Sequence, residues 1–188
     1  MKRHTRQLTQ TALLLTICII SQFFKNTSVF ITGPIINAAL LIALFTAGLS
    51  SALILSVITP ITAFFITGSP IMAAIPLMFP VIMIGNALLV LITWIFTKNQ
   101  KPKGRAYLGM GVGSVVKAGF MWIMTSYLLF PVFGSQLKAF LPKPEAYTKV
   151  LEAAKIKFSL TQLITALIGC LLAVLIMIPL QKFMKNED

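Results

Sequence analysis

The chain has 188 residues, of which 57% are hydrophobic and only 11% charged, with a mean hydropathy of +0.92. A soluble domain is about a quarter charged; this surface has too little polar material for water, and an all-α integral membrane protein is the class that fits. Sixteen Lys and Arg face four acids, Glu145, Glu152, Glu187 and Asp188, for a net charge of +12, but they flank apolar runs, where the positive-inside rule accounts for them better than nucleic acid does.

In chain order the breaks define six candidate transmembrane helices, at about 8–24, 32–47, 50–66, 71–96, 106–130 and 158–183, in a single membrane domain. Each approaches the ~20 residues needed to cross ~30 Å of hydrocarbon. The first, from "MKRHTRQLTQTALLLTICII", has a charged head and an apolar body but no A-x-A-like site, and reads as a retained helix rather than a cleaved signal. Pro60, Pro76 and Pro80 fall in the third and fourth segments, where prolines bend helices around cavities. Between the fifth and sixth lies a loop, 131–157, in which "PEAYTKVLEAAKI" places Tyr147, Val150, Leu151 and Ala154 on one side of a short amphipathic helix; a lid and an ordinary surface helix are both open.

Basic residues set the expected orientation. Lys2, Arg3 and Arg6, then Lys98, Lys101, Lys103 and Arg105, then Lys182 and Lys185 fall on one side; Lys25, Lys138, Lys143, Lys149, Lys155 and Lys157 fall on the other. Nine against six puts both termini in the cytoplasm and the 131–157 loop outside.

Most solo chemistries lack their residues. No acid and no histidine lies in any span; His4 is in the N-terminal tail, and Cys18 and Cys170 are isolated in apolar runs. Metal, redox and carboxylate catalysis therefore have no ligands or bases, and no cofactor is expected in the chain. A proton-coupled carrier lacks its intramembrane carboxylate, and without GxxxxGK[ST] the chain hydrolyses no ATP itself. A Ser-Lys hydrolase using Ser114 and Lys117 remains as one alternative, and a small self-associating channel as another.

The exception to this apolar character is "GSVVKAGFMW". Lys117 lies twelve residues from Arg105 and thirteen from Phe130, which at ~1.5 Å per residue is ~18 Å from either boundary. The stem is too short to reach water from there, and a lysine at such depth costs ~3 kcal/mol or more. Amides and carbonyls of the bundle could satisfy it, or it could line a polar cavity that meets an anionic ligand. Gly109, Gly113, Lys117, Met121 and Thr125 recur every four residues and share one stripe, with Trp122 adjacent. Asn86 has a comparable depth in the fourth segment; Asn37 lies in the outer half of the second, and Gln162 and Thr165 begin the sixth. Each could equally be interhelical glue. As a set, one cation with several amides and no acid outlines a site for a small carboxylate-bearing solute.

Four segments taken together, "ITGPIINAALLIALFTAGLSSALILSVITPITAFFITG", "PLMFPVIMIGNALLVL", "GSVVKAGF" and "FSLTQLITALIGCLLA", resemble the substrate-binding S components of energy-coupling factor (ECF) vitamin transporters. The resemblance implies a six-helix, multi-pass protein of the cell membrane that captures a vitamin or related small molecule. It also implies a transmembrane T component and two ATPase subunits as partners, the latter hydrolysing the ATP, and toppling of the S component during transport. The family pocket lies towards the outer side, lined by the last three helices; on that pattern Asn86, Lys117 and Gln162 line it and "KNTSVFITG" covers it. Docking in the family uses Ala-xxx-Ala in the first helix; Ala12 and Thr16 are the counterpart here, a departure in the second residue. Niacin, pantothenate, biotin, lipoate and folate-type acids are the candidate substrates.

Overall fold

A computed structural model describes residues 2–24, 28–97, 104–140 and 147–185. Nearly all of these residues are helical, with no strand among them. Six helices have 18 residues or more: α1 (Lys2–Phe23), α2 (Val29–Thr46), α3 (Leu49–Thr67), α5 (Met78–Thr97), α6 (Gly104–Ile123) and α9 (Leu160–Lys185). Three shorter ones, α4 (Pro70–Ala74), α7 (Phe130–Phe140) and α8 (Tyr147–Lys157), lie between them. Five of the described helical stretches are long and apolar enough to cross a membrane; α1 has the length, but its first turns are basic and rich in Thr and Gln. Successive long helices run antiparallel. The 47–48 link, the start of α1 and the end of α9 therefore gather at one end of the bundle, the end of the termini, and α4, α7 and α8 at the other.

The local sequence explains the boundaries. Ser28 caps α2, its Oγ accepting from the Phe30 N–H, and Gly68 ends α3 in the left-handed conformation (φ 56°) that a residue with a Cβ seldom adopts. The single span expected over 71–96 is two helices. Pro76 disfavours helical geometry at the residue before it, and Ile75 indeed takes φ −128° and ψ 83°. Pro80 then falls in the first turn of α5, where its missing N–H costs little.

The fifth segment is longer than expected. Its helix continues past Ile123 through a π-helical turn, Met124–Leu129, into α7, so the first ten residues of the expected 131–157 loop are helical. Helix α8 matches its predicted amphipathic pattern: Ala154 is buried, Tyr147, Val150 and Leu151 are half-buried, and Glu152 is exposed.

Helix α2 is central and packs against α1, α3, α5 and α9. Its run Ala38–Leu44 is buried throughout and joins Leu14, Cys18, Leu55, Leu89, Val90, Met110 and Ala173 in a core at the end holding the termini. A second core, with Ile75, Met78, Met121, Leu129, Phe130 and Phe158, lies at the opposite end.

Candidate functional site

Between the two cores is a polar layer built from three helices. Lys117 on α6 is 2% exposed, and its ammonium donates to Asn37 Oδ1 on α2 at 2.6 Å and to Asn86 Oδ1 on α5 at 2.8 Å. Charge-assisted bonds of this kind contribute ~1.5–3 kcal/mol each, enough to hold the lysine at this depth. The amides solvate the charge without neutralising it.

Glycines bring the three side chains together. A Cβ at Gly113 would meet Leu89 O at 3.0 Å, and one at Gly109 would meet Phe96 Cβ at 2.7 Å, so α5 and α6 touch backbone to backbone below the layer. Across the bundle, a Cβ at Gly169 would meet Asn37 Cβ at 2.6 Å, and one at Gly33 would meet Thr165 Cβ at 2.8 Å. Glycine at 33 and 169 thus lets α9 press α2, and Asn37 with it, inward.

The layer opens onto a cavity of about 100 Å³ running towards the α4/α8 end. Lys117, Asn37 and Asn86 line it with Gln162, Thr32 and Thr59; Pro60, Met72 and Phe158 complete its apolar wall, and Lys157 lies beside Phe158. Lys157 is half-buried, and loss of hydration lowers its pKa from the usual lysine value. Pro60 donates no N–H in mid-α3, leaving that helix free to bend beside the cavity.

The polar groups have a definite sense. Both asparagines turn their oxygens to the ammonium, so their NH₂ groups point away from it. An ammonium has three donors and two are used. The Thr32 hydroxyl donates to Ser21 O at 2.9 Å and the Thr59 hydroxyl to Leu55 O at 2.8 Å, so each hydroxyl oxygen keeps lone pairs that accept nothing among the described residues. One end of the cavity thus offers donors and a positive charge, and the α2/α3 wall offers acceptors. No acid lies among the described residues that line it.

Four of the residues singled out from sequence, Lys117, Asn37, Asn86 and Gln162, surround this cavity. The other four lie elsewhere. Met121 is fully buried against Gly85, where a Cβ would meet its Sδ at 3.0 Å. Thr125 is buried in the π turn and donates to Met121 O at 2.7 Å; Thr165 packs on Gly33 and donates to Thr161 O at 2.8 Å. Trp122, 42% exposed, stands edge-on to Tyr127 with ring centroids 5.6 Å apart.

The lining also departs from the pattern of the last three helices, since α2 and α3 supply Thr32, Gly33, Ile36, Thr59 and Ala63. Asn37 on α2 and Pro60 on α3 were the signals in the sequence for that side. Of the covering segment "KNTSVFITG", Lys25–Thr27 lie outside the described residues, and Val29, Thr32 and Gly33 line the cavity from the first turns of α2.

The Ser-Lys pair is not formed. Ser114 is fully buried, donates to Met110 O at 2.8 Å and touches Cys170 Sγ at 3.3 Å, whereas the Lys117 ammonium is turned to the asparagines. Ala12 and Thr16 are both exposed, one turn apart on α1. Thr16 Oγ1 donates to Ala12 O at 2.9 Å, which ties up the hydroxyl and keeps this face small. Beside it runs an apolar groove of about 490 Å³ between α1, α2 and α9, lined by Leu13, Ile17, Ile42, Leu172 and Ile176.

Comparison with known proteins returns no match among curated proteins and none among solved structures. A family model does match, over residues 6–181: the ECF transporter, substrate-specific component. With several helices suited to crossing a membrane, nearly the whole length covered and a polar cavity inside the bundle, the chain belongs to the family of substrate-specific components of ECF transporters, multi-pass membrane proteins that capture the transported molecule.

Proposed function

We propose that this protein captures a small carboxylate-bearing molecule, a vitamin or a related compound, with Lys117 as counter-charge. The observation that carries this reading is the buried ammonium held by two amide oxygens at the end of a cavity with no acid among the described residues that line it. A ligand carboxylate supplies the missing negative charge and accepts from the third ammonium proton and from the asparagine NH₂ groups. A neutral ligand leaves the charge uncompensated in a low-dielectric site, which is unfavourable. The cavity of about 100 Å³ is small beside the ~300–1,000 Å³ of most ligand sites. Among the candidate acids, single-ring molecules such as niacin fit that size best; biotin and folate-type acids require α4 or α8 to move outward.

In this reading the protein lies in the cell membrane as six spans with both termini cytoplasmic, and the α4/α8 end faces outward with the cavity mouth. The partners are a T component and two ATPases that hydrolyse ATP, and α1 docks through Ala12 and Thr16 beside the apolar groove. The protein itself carries no catalytic site. Purification from native membranes followed by mass spectrometry of co-purified small molecules tests the reading. The expected species is an acid whose affinity falls in Lys117→Met, and a neutral or cationic species would contradict it.

A further inference from the structure

Every other described lysine near the α8 end, Lys138, Lys149 and Lys155, is exposed, yet Lys157 is half-buried and lines the cavity. Its position is fixed by a tight corner. The Phe158 N–H donates to Ala154 O at 2.9 Å and the Ser159 N–H to Ile156 O at 3.3 Å, so the chain passes from α8 to α9 within two residues. Phe158, 6% exposed, anchors the corner in the adjoining core. Among the described residues Lys157 has no hydrogen bond or ion pair, and Glu152, five positions earlier, is exposed.

Two lysines therefore line one cavity, Lys117 from the polar layer and Lys157 from the α8–α9 corner, with no acid among the described residues of the lining. Like charges facing a poorly hydrated space raise each other's cost, and one carboxylate neutralises only one of them. Resting on the reading of the cavity as an acid site, we propose that Lys157 is a second anion subsite. The preferred ligand is then a compact molecule with two negatively charged groups, one against Lys117 and its asparagines, the other against Lys157. Between them the Thr32 and Thr59 lone pairs suit an N–H or O–H donor on the ligand.

The test uses the full chain in lipid nanodiscs and calorimetric titration with single-ring carboxylates in matched sets: each diacid, the monoacid lacking the second group, and the corresponding carboxamide. At least one diacid is expected to bind tenfold or more tightly than its monoacid. Lys157→Gln lowers diacid affinity about tenfold and monoacid affinity less than twofold, Lys157→Arg retains the preference, and Lys117→Gln weakens both acids. Equal binding of diacid and monoacid, or equal loss of both in Lys157→Gln, overturns the second subsite while leaving the Lys117 reading intact. Carboxamides binding as well as acids, or no member of the panel binding, overturns both readings.

Discussion

The two ends of this bundle are built from similar amino acids and packed in opposite ways. At the end holding the termini, Leu40, Leu41, Ala43, Leu55, Leu89 and Val90 are closed to solvent, and Gly109 and Gly113 set α5 and α6 in backbone contact. At the other end the chain is interrupted at Ile75–Leu77, widened by a π turn, folded into α7 and α8, and hollow. The closed end fixes the register of α2, α5 and α6, so that Asn37, Asn86 and Lys117 meet where the packing stops. The open end supplies space and a cover. Rigidity below and room above are what a capture site requires, and the polar layer marks the boundary.

The largest expected effect comes from supplying a counter-charge from within. Asn86→Asp places a carboxylate 2.8 Å from the ammonium at the existing oxygen position. Titration calorimetry should then show the acid ligand weakened by ~100-fold or more, since a fixed internal anion competes with it and repels it. Removing the charge comes next. Lys117→Met forfeits a charge-assisted contact of ~1.5–3 kcal/mol, or ~10–100-fold in affinity. The thermal midpoint of the unliganded protein should move little, because relief of a buried charge offsets two orphaned amide oxygens.

Gly169→Val attacks the register instead. Its Cβ falls 2.6 Å from Asn37 Cβ, and overpacking of this kind costs ~1–3 kcal/mol; thermal unfolding should show that loss, with weakened ligand binding beside it. Thr16→Leu alters only the exposed face of α1. Co-purification with the T component and ATPases should fall, and ligand affinity of the isolated chain should stay within about twofold. Trp122→Phe should be the mildest: an exposed side chain off the cavity changes affinity by less than about twofold, read by the same titration.

The helical class and the long apolar helices were legible because apolar length acts locally. The amphipathic helix α8 was legible for the same reason. Lys117, Asn37, Asn86 and Gln162 stood out because polar groups in apolar runs need partners. The break before α5 was hidden because a proline inside a long apolar run reads as a bend until Ile75 is seen out of helical geometry. The stripe through Lys117 misled at one end: spacing by four places Met121 and Thr125 in line with the lysine, but Met121 fills the gap at Gly85 and the π turn carries Thr125 into helix packing. The α2/α3 wall and Lys157 were missed because their places at the cavity depend on which helices become neighbours, which no single segment encodes.

The central claim is that an acidic ligand completes the charge of Lys117. The direct measurement is the affinity of the co-purified acid and of its carboxamide, for the wild type and for Lys117→Met. The wild type should favour the acid by ~10–100-fold, the worth of a charge-assisted contact, and Lys117→Met should lose most of that preference. Equal affinity of acid and amide for the wild type, or a preference undiminished in Lys117→Met, would contradict it.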